Sequence, residues 1–150
     1  MKINIRKAKK TDSKEIIGLI TELAHFEKLT PPNKSAKHRL INDAFGRNPK
    51  FYILLAETDG KITAYAFYFF TYSSFLAKQT LYLEDIFISE KYRRIGIGEK
   101  LFEELKIIAK KKKCGRMEWC VLDWNKKAIV FYDSLGAKPL KEWIYYRLNL

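Results

Sequence analysis

The run Leu83-Glu84-Asp85-Ile86-Phe87-Ile88-Ser89-Glu90-Lys91-Tyr92-Arg93-Arg94-Ile95-Gly96-Ile97-Gly98-Glu99-Lys100-Leu101-Phe102-Glu103-Glu104-Leu105 reads as a buried strand, a basic glycine-containing turn and an amphipathic helix. The strand spans Leu81 to Ile88 and the turn Arg93 to Gly98. Leu101, Phe102, Leu105, Ile108 and Ala109 recur at the spacing of one helical face. The turn is suited to hold an anion. The first amides of a helix have no partner within it, and the helix dipole adds positive charge at that end. Gly96 and Gly98 carry no Cβ, so a phosphate can approach the backbone, and Arg93 and Arg94 add charge. A dinucleotide fingerprint needs a third glycine two residues on, and Glu99-Lys100-Leu101 fills that place.

Arg93-x-x-Gly96-x-Gly98 behind an acidic, aromatic strand resembles the acetyl-CoA motif of the GNAT N-acetyltransferases, and the resemblance covers nearly the whole chain. Within that superfamily the chain is most similar to the diamine (spermidine/spermine) and thialysine acetyltransferases. The residues carrying this closer match are Phe69-Phe-Thr-Tyr72, Leu81-Tyr-Leu-Glu-Asp-Ile-Phe87, Tyr92-Arg-Arg-Ile-Gly-Ile-Gly98, Val121-Leu-Asp-Trp-Asn125, Phe131-Tyr132 and Leu135-Gly-Ala137. The turn marks the superfamily, while the Leu-Glu-Asp strand and the Leu-Asp-Trp-Asn run mark the branch. The resemblance implies an α/β GNAT fold. Its mixed, mostly antiparallel central sheet is flanked by helices, and its central strands splay apart.

Composition agrees with one soluble domain over residues 1–150. Hydrophobic residues make up 47% and charged residues 31%. No apolar run approaches the ~20 residues of a membrane span, and the N-terminus has no apolar signal core, so a cytoplasmic protein without a membrane partner is expected. Cys114 and Cys120 are expected as free thiols. His25 and His38 are isolated, and no His/Cys cluster has metal spacing, so no metal is expected. The net charge of +12 invites a nucleic-acid reading. Lysines are spread along the chain, however, and the main run, Lys110 to Lys113, complements the C-terminal end of a helix dipole.

In chain order, Lys2 to Ala8 reads as a strand. Asp12-Ser-Lys-Glu15 has capping-box spacing ahead of a helix carrying Ile16, Ile17, Leu19, Ile20, Leu23 and Ala24. Thr30-Pro-Pro-Asn33 breaks the chain before a second helix, Ser35 to Phe45. Phe51 to Glu57 and Lys61 to Thr71 read as strands joined by Thr58-Asp59-Gly60, a tight hairpin. The aromatic run Tyr65 to Tyr72 reads as core or a subunit contact, and Tyr72 to Gln79 as a loop. A strand at Arg116 to Val121, a helix at Asn125 to Leu135 closed by Gly136, and a final strand at Lys141 to Leu148 complete the order.

Acetyl transfer to an amine makes three demands. An alkylamine with a pKa of ~10.4 is protonated at neutral pH, so a carboxylate must bind it and a group must take its proton. Negative charge developing on the thioester oxygen needs a fixed donor. The departing thiolate leaves more easily with an acid beside it. Glu84 and Asp85 are neighbours on a strand and face opposite sides unless a bulge intervenes. The resemblance assigns Glu84 to binding the amine and relaying its proton, with Asp85 in support. It assigns Tyr132 as the acid. It places the pantetheine arm along the backbone of Ile86, Phe87 and Ile88, in the manner of an added strand. Arg93, Arg94, Ile95, Gly96, Ile97, Gly98 and Glu99 would cradle the diphosphate, and Asn125, Lys126, Lys127 and Ala128 form a second CoA-contacting segment. Phe26, Glu27, Glu118, Trp119, Cys120 and Glu142 are expected to line the acceptor pocket. Phe26 stands where the family usually has Tyr, and Arg94 where it usually has Gly.

The expected reaction is direct transfer from acetyl-CoA in a ternary complex, without an acyl-enzyme. Cys120 would be the nucleophile of a ping-pong route, but it has no histidine in its local sequence. The expected acceptor is a diamine, a polyamine or a lysine-like amine such as thialysine. Two alternatives are a protein or peptide acetyltransferase and a noncatalytic nucleic-acid-binding module. Glu84 and Tyr132 together argue against the last. The family is commonly homodimeric, and the aromatic strands offer a surface for that.

Overall fold

The computed structural model describes residues 1–150. The chain divides into two units, Met1–Trp119 and Cys120–Leu150.

In the first unit the elements are β1 (Ile3–Lys7), α1 (Ser13–Phe26), α2 (Lys34–Phe45), β2 (Tyr52–Thr58), β3 (Lys61–Ser73), β4 (Lys78–Ile88), α3 (Ile97–Lys111) and β5 (Arg116–Trp119). The sheet order is β1-β2-β3-β4-β5. The first four strands are antiparallel to their neighbours, and β5 runs parallel to β4. A mixed, mostly antiparallel sheet is therefore observed. Asp59 and Gly60 both take positive φ, 48° and 80°, the backbone that a two-residue hairpin requires. Half of the segment expected as a loop is strand. β3 continues to Ser73 and β4 begins at Lys78, because Tyr72 pairs with Gln79 and Ser73 with Lys78.

One apolar cluster joins Ile16 and Leu19 of α1, Ala44 of α2, and Phe51, Ile53, Leu55, Tyr65 and Phe87. The alternate residues of the same strands, among them Leu54, Ala66, Tyr68, Leu81 and Leu83, are buried together with Leu101, Phe102 and Leu105 of α3. Each fully buried Leu or Phe of α3 contributes about 2 kcal/mol through burial. Asp12 does not cap α1 as its spacing suggests. Its carboxylate is taken instead by Arg6 (Nη1 to Oδ2 2.7 Å, Nη2 to Oδ1 2.9 Å) and by the Lys9 amide at 2.7 Å. A charged bidentate partner outcompetes a backbone amide. Asn33 caps α2 by accepting from the Ala36 amide at 2.9 Å.

The second unit holds α4 (Lys126–Ser134), with Asn125 accepting from the Ala128 amide at 3.3 Å. Gly136, at φ 81°, closes the helix: its amide donates to Asp133 O at 3.0 Å, and the Ala137 amide to Tyr132 O at 3.2 Å. The final strand expected at Lys141 to Leu148 does not form. Trp143, Ile144, Tyr145, Tyr146 and Leu148 are 72–87% exposed. A β-favouring composition makes no strand without a ladder partner for its amides and carbonyls.

Candidate functional site

β4 departs from regular pairing at one point. Phe67 pairs with Asp85 and Tyr68 with Leu83, so Glu84 is the extra residue of a β-bulge. Neighbouring carboxylates on a regular strand would face opposite ways. Here the bulge releases that constraint on Glu84 and Asp85. The β4–β5 ladder also stops at this point, at Leu83 with Trp119. Ile86, Phe87 and Ile88 follow the bulge on a stretch of β4 that β5 does not reach.

Three carboxyl groups gather around the bulge. Asp85 is pushed up to about 6, first by burial, then by repulsion from Glu84 and Glu27, with a hydrogen bond from Tyr65 opposing the rise. The Tyr65 hydroxyl donates to Asp85 Oδ2 at 3.1 Å. Glu27, at the C-terminal end of α1, is half-buried, and burial raises its carboxyl as well. Glu84 is exposed. Glu118 does not join them: Arg116 on the same strand holds it at 2.9 Å. Trp119 is half-buried and meets the Phe102 ring edge-on at 5.2 Å. Cys120 and Glu142 lie in the second unit, both exposed.

The turn after β4 leads into α3 with no side chain capping the helix. Gly96 occupies the cap position at φ 85°, and Gly98 is buried in the first turn. The two arginines differ. Arg94 is exposed and takes the left-handed φ of 64°. Arg93 turns inward: its Nε donates to Ile88 O at 2.9 Å, and its guanidinium lies over the rings of Phe26 and Phe87, 5.1 and 5.4 Å from their centres. Ser89 Oγ adds a second tie by donating to Glu22 Oε2 at 2.7 Å. Arg93 therefore fastens the turn to β4 and α1. No group of three or more His, Cys, Asp or Glu side chains is arranged to hold a metal.

In the second unit, Tyr132 is half-buried on α4 beside the Phe131 ring, 5.7 Å between centres. Asn125, Lys126, Lys127 and Ala128 form the capped N-terminal turn of α4, and Lys126 Nζ donates to Asp123 O at 2.7 Å. Two contacts near the bulge have no local signal in the sequence. Tyr65 was read only as part of an aromatic run, although a tyrosine at a fully buried position needs a polar partner. The flat cation of Arg93 sits over the Phe26 and Phe87 rings, an arrangement that its charge alone does not announce.

A family model described as "Acetyltransferase (GNAT) family" matches residues 17–137. A thialysine N-epsilon-acetyltransferase of Mus musculus is 39% identical over 156 aligned positions, covering 97% of this chain and 91% of that protein. A spermidine/spermine N(1)-acetyltransferase-like protein of Homo sapiens is 38% identical over 155 positions, covering 97% of this chain and 22% of its own greater length. Among solved structures, an integron cassette protein from the mobile metagenome of V. cholerae is similar with a TM-score of 0.82 and 25% identity. The match covers 99% of this chain and 93% of that one.

Proposed function

The chain belongs to the acetyltransferase (GNAT) family, and from that premise we propose that it transfers an acetyl group from acetyl-CoA directly to a primary amine of a small cationic acceptor. The acceptor class is a diamine, a polyamine or a thialysine- or lysine-like amine. The observation that carries this reading is the gathering of Glu27, Glu84 and Asp85 at a bulge on the strand that leads into the uncapped end of α3. A negative well in a protein of net charge +12 can receive a cation, while the rest of the surface draws anionic CoA.

Acetyl-CoA supplies the acyl thioester and a diphosphate. The amides at Ile97, Gly98 and Glu99, with Ile95, Gly96 and the exposed charge of Arg94, would hold the diphosphate. The backbone of Ile86, Phe87 and Ile88 would take the pantetheine arm as an added strand, and one of its amides would donate to the thioester oxygen. Asp85 and Glu27 neutralise the acceptor's positive charge, with Phe26 and Trp119 as apolar walls. Glu84 binds the reacting ammonium and takes its proton, directly or through water, which frees the lone pair. Tyr132 is proposed as the acid that protonates the leaving sulfur, a role resting on its place in the Phe131-Tyr132 motif. Asn125 to Ala128 are proposed as further CoA contacts.

Residues 1–150 are taken as one catalytic domain, since the family match runs across the boundary of the two units. A homodimer is the proposed assembly. Exposed Tyr72, Phe75 and Leu76 at the β3–β4 hairpin offer an apolar surface for it. The proposed setting is the cytoplasm, where the two thiols would stay reduced.

The test is release of free thiol from acetyl-CoA with spermidine, putrescine, thialysine, lysine and a lysine-containing peptide as acceptors. Turnover of one or more small amines is expected. Turnover of the peptide alone would replace this reading with protein acetylation, and an acetylated enzyme seen by intact mass would replace direct transfer with ping-pong chemistry.

A further inference from the structure

Tyr65 lies on β3 and is fully buried. Its cross-strand partner is Phe87, and Asp85 is partnered by Phe67. Residues two apart on a strand share a face, so Tyr65 and Asp85 are diagonal neighbours on one face of the sheet. A diagonal is too long for short side chains but within reach of a tyrosine. The ring belongs to the apolar cluster beneath α1, with Ile16, Leu19, Ile53 and Leu55, and its hydroxyl meets a carboxylate. The oxygen it meets is Asp85 Oδ2 at 3.1 Å.

A phenylalanine would pack here without bringing a polar atom into the core. The hydroxyl therefore acts on the carboxylate and contributes nothing to packing that a plain ring lacks. We propose that Tyr65 is a positioning residue of the acceptor site: its hydroxyl fixes the Asp85 carboxylate beside the Glu84 bulge, where it neutralises the acceptor's positive charge. This inference rests on the acceptor-site reading above.

The charged groups acting on Asp85 are Glu84 on its own strand and Glu27 at the end of α1, both repulsive. From β5, Glu118 and Arg116 are paired with each other. Arg93, just beyond β4, is engaged with the Phe26 and Phe87 rings and with Ile88 O. The Tyr65 hydroxyl is thus the one influence resolved on Asp85 that opposes its protonation. Without it the carboxyl protonates at higher pH, and the site loses a negative charge within the physiological range.

The experiment is steady-state kinetics of the wild type, Tyr65→Phe, Asp85→Asn and the double variant, with the best small amine from the thiol-release panel, from pH 5.5 to 9. In Tyr65→Phe the amine KM is expected to rise roughly fivefold to tenfold near pH 6.5 and to return to within about twofold of wild type near pH 8.5, the size of one hydrogen bond to a charged group. The acidic limb of kcat/KM moves to higher pH, while the KM for acetyl-CoA stays put. In the Asp85→Asn background, adding Tyr65→Phe changes the amine KM no further. An unmoved acidic limb in Tyr65→Phe, or an equal effect of Tyr65→Phe in both backgrounds, overturns the proposal. Melting curves at each pH identify any loss that is merely structural. A wild type inactive on every small amine would refute the acceptor-site reading itself, whereas an active wild type matched by Tyr65→Phe refutes only the role of Tyr65.

Discussion

The guanidinium of Arg93 sits over the ring of Phe26, 5.1 Å from its centre, so one side chain joins the turn ahead of α3 to the last residue of α1. Phe87 lies under the same cation, and Ile88 O accepts from it. A lysine keeps the charge but loses both the flat stack and the fixed donor. Arg93→Lys is expected to cost about 2 kcal/mol, from two cation–π contacts and one hydrogen bond, and so to lower Tm by roughly 4–8 °C. Its KM for acetyl-CoA rises, since the turn is less well held. Calorimetry showing an unchanged Tm would mean that the stack does not hold the turn.

Arg94 adopts φ 64°, a conformation that costs a non-glycine residue about 1–2 kcal/mol. Glycine relieves that strain but adds freedom to the unfolded chain, worth about 0.5–1 kcal/mol in the other direction. Arg94→Gly should therefore match or slightly exceed wild type in stability. If the arginine serves the diphosphate through its charge, the variant's KM for acetyl-CoA rises at low salt, and the difference narrows as ionic strength grows. A salt-independent difference would rule out a charge effect.

Asp85 is held well above the ordinary carboxyl range, at about 6, with burial the leading cause. The folded protein therefore binds this proton more tightly than the unfolded chain does. The resulting stability is complete below about pH 4 and is lost as pH rises through about 6, a loss of order 2–3 kcal/mol. Asp85→Asn should be more stable than wild type at pH 7.5 by about that amount and nearly equal to it at pH 4, while its kcat/KM for amines falls. Urea titrations at the two pH values decide the matter, and a variant less stable at pH 7.5 would contradict it.

Asp12 is the opposite case. Arg6 holds its carboxyl below the usual range, so this contribution is present at neutral pH and disappears as pH falls through the lowered value. Arg6 also bonds Glu57 at 2.7 Å, linking β1, β2 and the start of α1. Asp12→Asn is expected to lose about 2 kcal/mol at pH 7, with the deficit closing in strong acid. The check is denaturant unfolding at both ends of the range.

For the chemical step, Glu84→Gln and Tyr132→Phe should each lower kcat by roughly a hundredfold or more, the usual worth of a positioned base or acid. KM for acetyl-CoA changes little in either. Raising pH should partly restore Glu84→Gln, because more of the amine then arrives already deprotonated. Wild-type kcat in Tyr132→Phe would move the acid role elsewhere.

Much of the fold was legible because its signals are local. Asp59-Gly60 fixes a hairpin by backbone conformation alone, and Leu101, Phe102 and Leu105 trace one face of a helix. The glycines of the turn were readable for the same reason. What the sequence could not reveal depends on long-range register. Nothing in Leu83-Glu84-Asp85 announces that β3 opposes it with one residue fewer, yet that count decides where two carboxylates point. Tyr65 reaches Asp85 only across a diagonal set by pairing 20 residues away. The stacking of Arg93 on Phe26 and Phe87 was hidden, because charge is visible in a sequence and ring placement is not. The segment from Lys141 to Leu148 has the composition of a strand, but its ladder partner is not written in its own residues.

The supernumerary residue at Glu84 has an evolutionary corollary. Deleting that codon would leave Leu83 opposite Tyr68 and Asp85 opposite Phe67, so every later β4 side chain would keep its layer while the protruding carboxylate vanished. Such a lineage would forfeit the chemistry and keep the core. Drift can shed a residue at Glu84, but not at a regularly paired position of β4, and leave the scaffold standing.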